Sequence, residues 1–414
     1  VIFGRKCRGK SPPRLQWLRH FRLPPLRAQT PPATPALTLP ITPGVFMTSI
    51  EIFEHLHQNP ELQFEEFETT SFIKKILTEE EIEILDLPLK TGLVARITGA
   101  KPGKKIAFRA DIDALPLEEK TNLPYKSKNP GKMHACGHDI HISVGLETAR
   151  LLNHKKSELC GEVLFVFQPS EENGKGALEV LKTHVLDGID AIFSLHSSPL
   201  LDVGQVGIKE GAITAAVDLF KIKIHGRGSH GAEPHTGRDP IAASAAVISS
   251  LQTIVSRNIS PTDQALVSVT HIEGGSNWNI IPEEVLLEGT IRTTNPVTRS
   301  FVSKRLAEIA QNTAAAYEEE ATVEIENAPP CTSNDKELAG YAWEVAQKCG
   351  LEPVRPEITM VGEDFAYYQE KFRGIMVWLG VGKTKPLHNP EFTANPKAIE
   401  IGAKYFLKLL LSID

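Results

Sequence analysis

Gly161-Glu162-Val163-Leu164-Phe165-Val166-Phe167-Gln168-Pro169-Ser170-Glu171-Glu172-Asn173 is an apolar run that stops at a proline and opens onto two carboxylates. A short apolar run bounded by turn residues reads as a strand, and one this apolar places the glutamates at its end inside a cleft instead of on a solvated surface. The same arrangement recurs along the chain. Ala191 to Leu195 reads as a strand with His196 at its end. Val94 to Ile97 and Lys105 to Arg109 are strand candidates, with Asp111-Ile112-Asp113 just past the second. Met133-His134-Ala135-Cys136-Gly137-His138-Asp139 sets a thiol and an imidazole in a Gly-containing turn before a helix from Ile140 to Asn153. The pattern at 47–80 is helical, interrupted at Asn59-Pro60-Glu61-Leu62 and resumed from Glu65 to Leu77. Polar residues just past strand ends, with helices between the strands, describe an open α/β sheet whose site lies beyond the strands' carboxyl ends.

From Val217 the pattern changes. Leu219, Lys221, Lys223 and His225 alternate with Phe220, Ile222 and Ile224, which predicts a half-exposed strand. A loop rich in Gly and His, Gly226 to Asp239, leads to a helix from Pro240 to Arg257. Strands at Ala265–Glu273 and Glu284–Thr293, a helix at Thr298–Glu318 and a strand at Ala321–Ile325 follow. The order β-α-β-β-α-β is the split βαβ of a ferredoxin-like unit. The chain then returns through a helix at Asp335–Cys349, Gly362-Glu363-Asp364-Phe365, a strand at Gly374–Leu379, Leu387-His388-Asn389-Pro390 and a last helix at Pro396–Leu411. The expected architecture is α/β: a discontinuous catalytic domain with a mixed sheet flanked by helices, formed by 47–215 and 329–414, with an inserted ferredoxin-like α+β domain at 216–328. No internal repeat is present.

The chain has 414 residues, enough for two cores. Residues 1–46 differ from the rest, with eight Lys or Arg, nine Pro and no Asp or Glu. They are expected to be a disordered leader, either a targeting segment or sequence foreign to a folded protein that starts at Met47. Setting them aside leaves 37 basic and 51 acidic side chains, a formal charge of −14. That balance argues against nucleic acid or an anionic membrane as partner. No apolar run approaches the ~20 residues of a spanning helix. Cys7, Cys136, Cys160, Cys331 and Cys349 are scattered singly, as in a reducing cytosol, so a cytoplasmic location is expected.

A Cys and a His two positions apart are often a buried thiol beside a loop histidine, or a nucleophile and its base. Residues so close in sequence rarely face each other well enough for the second. The metal reading wins because other ligand types arrive at matching topological positions. Cys136, His138, Glu172, His196 and His388 supply sulfur, nitrogen and oxygen donors for zinc-like divalent metals, enough for two ions sharing a bridge. Adjacent residues at a strand end point in different directions, so Glu172 can ligate while Glu171 faces substrate and moves a proton. Asp111 and Asp113 can orient a ligand imidazole from behind. His134 and His141 read as structural. In the inserted unit, His230 or His235 is a candidate donor to a developing oxyanion, and Asn279 and Arg292 are candidates to hold a substrate carboxylate.

Jointly these stretches resemble the aminoacylase/carboxypeptidase-type dimetal amidohydrolases, in the branch of hippurate hydrolase, N-acyl-L-amino acid amidohydrolases and auxin-conjugate hydrolases. The likeness rests on Arg109-Ala110-Asp111-Ile112-Asp113-Ala114-Leu115-Pro116, Met133–Asp139, Gln168–Asn173, Ser229–His235, Asn279–Pro282 with Gly289–Arg292, Gly362–Phe365 and Leu387–Pro390, and spans 47–414. It implies two divalent ions (zinc, manganese or cobalt) on Cys136, His138, Glu172, His196 and His388, with Glu171 as general base and acid. It implies His230, Asn279 and Arg292 as residues of a lid, and a homodimer through that lid in which a lid residue reaches the partner's site. Its activity is hydrolysis of N-acyl amino acids such as hippurate or N-acetyl amino acids. A dipeptidase or carboxypeptidase of the same family and a non-catalytic relative are the alternatives. The chain departs from relatives at His196-Ser197-Ser198-Pro199, where bulkier residues are common, and at Asp111, where the wider family often has His.

Overall fold

The computed structural model describes residues 47–413; the expectation for residues 1–46 lies outside them. The chain opens with α1 (Ser49–Gln58), whose N-terminus is closed by Thr48 and Glu51 bonding reciprocally to each other's backbone N–H. Next come α2 (Phe67–Glu79), β1 (Glu83–Ile84), β2 (Leu93–Thr98), β3 (Lys101–Asp111), α3 (His138–His154), β4 (Cys160–Gln168), α4 (Gly176–Lys182), β5 (Ala191–Ser198) and β6 (Gln205–Gly207). A second group follows: β7 (Ala216–His225), α5 (Pro240–Leu251), β8 (Ala265–Gly274), β9 (Glu284–Thr293), α6 (Pro296–Ala315) and β10 (Glu320–Asn327). The chain ends with α7 (Lys336–Lys348), β11 (Glu352–Val354), α8 (Ala366–Gln369), β12 (Gly374–Gly380) and α9 (Lys397–Leu411).

The larger sheet has eight strands in the order β1-β2-β4-β3-β5-β12-β6-β11. Its centre, β4-β3-β5-β12, is parallel. β2 runs antiparallel to β4, and β6 antiparallel to β12, so the sheet is mixed. The central strands are covered on both faces. Phe108, Phe165 and Phe193 pack toward α1, α3 and α9, where they join Phe53, Ile140 and Phe406. Leu164, Ile192 and Met376 belong to the opposite face, with Val180 of α4 and Tyr368 of α8. Burial on both faces is why these strands read as near-continuous apolar runs.

The smaller sheet has the order β8-β9-β7-β10, with each neighbouring pair antiparallel. Phe220, Ile222 and Ile224 of β7 are buried beneath α5 and α6, against Val247, Leu251, Val302 and Leu306. Lys221 and Lys223 on the alternate face are exposed. The order β7-α5-β8-β9-α6-β10 is the expected split βαβ, placed between β6 and α7.

Three details differ from the sequence reading. β5 continues through His196 to Ser198, because β12 pairs with it as far as Gly380 opposite Ser198. Asp111 is the last residue of β3, paired with Gln168, and does not lie beyond the strand. The helix expected to run to Arg257 stops at Leu251 and is followed by a wider turn at Ile254–Asn258. There the Thr253 and Ser256 hydroxyls donate back to the carbonyls of Ser250 and Gln252, which loosens a regular helix.

Candidate active site

The parallel strands β3, β4 and β5 end side by side, and the loops leaving them carry most of the candidate residues. Cys136 and His138 flank Gly137, which has φ +81° and opens α3. A Cβ there would lie 2.7 Å from Ser197 Oγ, so only glycine lets this turn press against β5. His388 has φ +61°, and its backbone N–H donates to the Ala135 carbonyl at 2.9 Å, which stitches the second half of the chain to the thiol turn. Residues far apart in sequence thereby converge. Cys136 Sγ is 3.6 Å from His196 Nε2 and 3.3 Å from His388 Nε2. Glu172 Oε1 is 3.4 Å from His388 Nε2 and 3.9 Å from His138 Nε2.

The five donors fall in overlapping clusters of a size to hold metal ions, Cys136, His138 and His196, and Cys136, Glu172 and His388, while His138 and Glu172 cluster with the neighbouring Glu171. Two donor atoms, His138 Nε2 and Glu172 Oε1, are buried without a hydrogen-bond partner, which is costly unless a cation sits there. The electrostatics agree. Burial pushes the Cys136 thiol well up, with Glu172 and Glu171 adding to it, so a thiolate needs compensating positive charge. Burial holds His196 down to about 4, leaving a neutral imidazole. For His138 burial works downward, but Asp111 and Asp113 prevail and raise it to about 10; a cation at Nε2 takes the proton's place. The residues fit a pair of divalent ions.

Behind the donors lies a buried polar layer. The Asp113 carbonyl is 2.8 Å from His138 Nδ1, while its carboxylate accepts the backbone N–H groups of Glu171 and Glu172, each at 3.0 Å. Asp113 thus sets both the imidazole and the glutamate pair. His141 bonds Asp111 at 2.5 Å and Ser197 Oγ at 3.0 Å, while His134 is buried with neither ring nitrogen bonded. Under Glu171 sits a fully buried Arg109, 2.7 Å from Asp111, 3.0 Å from Glu363 and 2.8 Å from Asp364. The sequence reading gave Arg109, Glu363 and Asp364 no role. The signal was available: a charge inside a buried strand demands partners. Burial raises the Glu171 carboxyl well above the usual range, with Glu363 and Glu172 contributing and Arg109 opposing.

The cluster opens into a cleft of about 600 Å³, lined by Cys136, Glu171, Glu172, His196, Glu363 and His388 from the larger sheet's side and by Val217, Leu219 and Arg292 from the smaller sheet. Arg292 bonds Thr290 and the Ile291 carbonyl and has no carboxylate in salt-bridge range among the described residues. His230 and Asn279 are elsewhere. His230 lies on the short ladder Ser229–His230 with Ile280–Ile281, Asn279 comes just before its second strand, and both line a separate hollow on the smaller sheet's side.

This is an open α/β protein with a buried sulfur, imidazole and carboxylate cluster of the kind divalent cations bind, beside a spare glutamate. The chain belongs to peptidase family M20/M25/M40, whose model matches residues 107–412. It is 46% identical over 365 residues to N-acetylcysteine deacetylase of Bacillus subtilis (strain 168), an alignment covering 88% of this chain and 96% of that one. It is 36% identical over 368 residues to N-acetyldiaminopimelate deacetylase of Geobacillus sp. (strain WCH70), covering 87% and 96%. Among solved structures, a B. subtilis protein described as a dinuclear metal binding peptidase from the M20 family matches with a TM-score of 0.81 at 43% identity, covering 88% of this chain and 96% of the other. No helix among the described residues is long and apolar enough to cross a membrane.

Proposed function

We propose that the chain is a metal-dependent hydrolase of the amide bond of N-acyl amino acids, yielding a carboxylate and a free amino acid. The carrying observation is the convergence of Cys136, His138, Glu172, His196 and His388 around orphaned donor atoms, with Glu171 in the same cleft. The relatives named above, deacetylases of N-acetylated amino acids, support the same bond and substrate class. When bound, two divalent ions (zinc, manganese or cobalt) supply Lewis acidity and lower the pKa of water. The protein supplies the rest. Glu171 takes a proton from the attacking water and returns it to the leaving nitrogen, and its buried surroundings favour the protonated form that must make the second transfer. Arg292, half-buried and without a carboxylate partner among the described residues, holds the substrate's α-carboxylate. Val217, Leu219 and Trp378 give the cleft an apolar wall for the acyl or amino acid side chain.

His230 donates to the developing oxyanion and Asn279 helps hold the carboxylate. Because both lie outside their own chain's cleft, they act across a homodimer, each smaller sheet serving the partner's site. Trp278 is 93% exposed and Ile280 50% exposed beside them, an apolar edge suited to such a contact. The proposed domains, 47–215 with 329–414 and 216–328, take one sheet each as their core. Cys160, Cys331 and Cys349 are free thiols, which fits the cytoplasm.

The test is chelation and metal add-back on the purified chain, with a panel of N-acetyl and N-benzoyl amino acids and dipeptides read by mass spectrometry. Activity should vanish with chelator and return with a divalent ion, on acylated rather than free-amine substrates. Indifference to chelators combined with inactivation by thiol alkylation would overturn the reading.

A further inference from the structure

Three carboxylates surround Arg109, and only one of them is incompletely satisfied. Asp111 bonds Arg109 through Oδ2 and His141 through Oδ1. Asp364 accepts from Arg109 and Gln168 at Oδ1 and from Ala177 N and Gln168 at Oδ2. Glu363 is different. Its Oε1 accepts from Phe365 N at 2.9 Å and lies 3.0 Å from Arg109 Nη2, while its Oε2 is buried with no hydrogen-bond partner among the described residues. Glu363 is also the one of the three that lines the cleft, next to Glu171. An orphaned carboxylate oxygen is expensive to bury, and its place here marks a position where a donor arrives with the substrate.

The spacing says which donor. Glu171 and Glu363 place carboxylate oxygens within 4.8 Å of each other. Two oxygens each about 2.9 Å from one tetrahedral nitrogen lie about 4.7 Å apart. One nitrogen placed between the two carboxylates can therefore bond both. The leaving nitrogen of a secondary amide carries one hydrogen and, once the carbonyl carbon becomes tetrahedral, one lone pair. Resting on the function proposed above, we infer that Glu363 accepts the N–H of the scissile amide and so turns that lone pair toward the proton on Glu171. Water oxygen bonds to the carbonyl carbon, Glu171 receives a water proton and hands it to nitrogen, and the C–N bond breaks. Glu363 neither gains nor loses a proton. The substrate class follows: secondary amides are preferred over esters of 2-hydroxy acids, which have no hydrogen to offer.

The discriminating variant is Glu363→Gln. Phe365 N donates at Oε1 and the Arg109 cation lies 3.0 Å from it, so the glutamine must keep its oxygen there and present its NH2, a donor, where Oε2 was. The metal-loaded enzyme and variant are compared on an N-acetyl amino acid and on the matching O-acetyl 2-hydroxy acid, with metal content and thermal unfolding measured alongside. The amide-to-ester ratio of kcat/KM should fall roughly 10- to 100-fold, the worth of one hydrogen bond to a charged acceptor. Glu363→Asp, which draws the carboxylate back by one methylene, should lower the ratio in the same direction. Binding of the free amino acid relative to its 2-hydroxy analogue should weaken in both variants, a readout that needs no turnover. Equal loss on amide and ester would overturn the inference and leave Glu363 as a mere support for Arg109; an unchanged ratio would overturn it too. Wild-type enzyme that cleaves neither substrate would refute the proposed function itself.

Discussion

A glutamate that must take a proton and give it back needs its carboxyl lifted above the usual carboxylate range, and Glu171 is placed for that. Burial raises its carboxyl, Glu363 and Glu172 raise it further, and Arg109 keeps the effect in check. Glu171→Gln preserves shape and removes both transfers. Its kcat should drop by about 10²- to 10⁴-fold while the bound metal, counted by mass spectrometry, is unchanged, because Glu171 stands outside the proposed donor set. Full activity at full metal content would refute its role as the base. Much of this neighbourhood was legible in the sequence, since Cys136-Gly137-His138 and Glu171-Glu172 are short stretches whose strand-end or turn position decides where their side chains point. Arg109 with Asp364 was not, because the pair lies 255 positions apart and no local pattern links them. Asp113 was read as holding an imidazole, and it does so through its carbonyl. Its carboxylate, bound to the N–H groups of both glutamates, could not be foreseen without the loop's path.

Elements hold these residues still, and α1 is tied to α3 by one buried contact. His57, in the last turn of α1, bonds Asp139 at 2.6 Å through Nδ1 and approaches Glu119 at 3.4 Å through Nε2. Asp139 follows His138 directly, so the contact fixes the start of the helix that presents that imidazole. Burial acts to lower the pKa of His57, but Asp139 and Glu119 outweigh it and raise it from 6.5 to about 9. A folded-state value above the unfolded one means that the pair's stabilisation is complete below 6.5 and is lost as pH rises through about 9. His57→Gln should cost about 3 kcal/mol at the acid end, as expected when a buried carboxylate loses its partner. The gap between wild type and variant should narrow across that interval in urea unfolding of the metal-free proteins; a constant gap would mean that His57 contributes packing alone. The helices themselves were readable from apolar periodicity to within a few residues. The His57–Asp139 tie was not, because a histidine on a helix face shows no partner until the helix is docked. Strand ends were less legible than strand cores, since the end of β5 is decided by its pairing with β12 and not by its own composition.

At the scale of the molecule the cleft exists only because two sheets meet. The start of β7 and the segment just after β10 are held by Arg299 of α6, which bonds the fully buried Asp218 carboxylate at 2.6 Å and the carbonyls of Val217 and Ala328 at 3.3 and 2.8 Å. That bracket keeps Val217, Leu219 and Arg292 in place as one wall. It leaves His230 and Asn279 on the smaller sheet's side, lining a hollow of their own. The family resemblance grouped His230, Asn279 and Arg292 together as lid residues, because it assigns them to one inserted unit without saying which side of it each occupies. If the proposed dimer exists, the two groups serve different sites: Arg292 its own, His230 the partner's. Glu171→Gln and His230→Ala would each be inactive alone, yet mixing them after reversible dissociation pairs an intact Glu171 in one chain with an intact His230 in the other. Half of the randomly exchanged dimers are then mixed, and one of their two sites is whole, so activity should recover to about a quarter of wild type. No recovery, with mixed dimers demonstrated by differently tagged chains, would confine His230 to its own subunit and require the smaller sheet to swing over its own cleft instead.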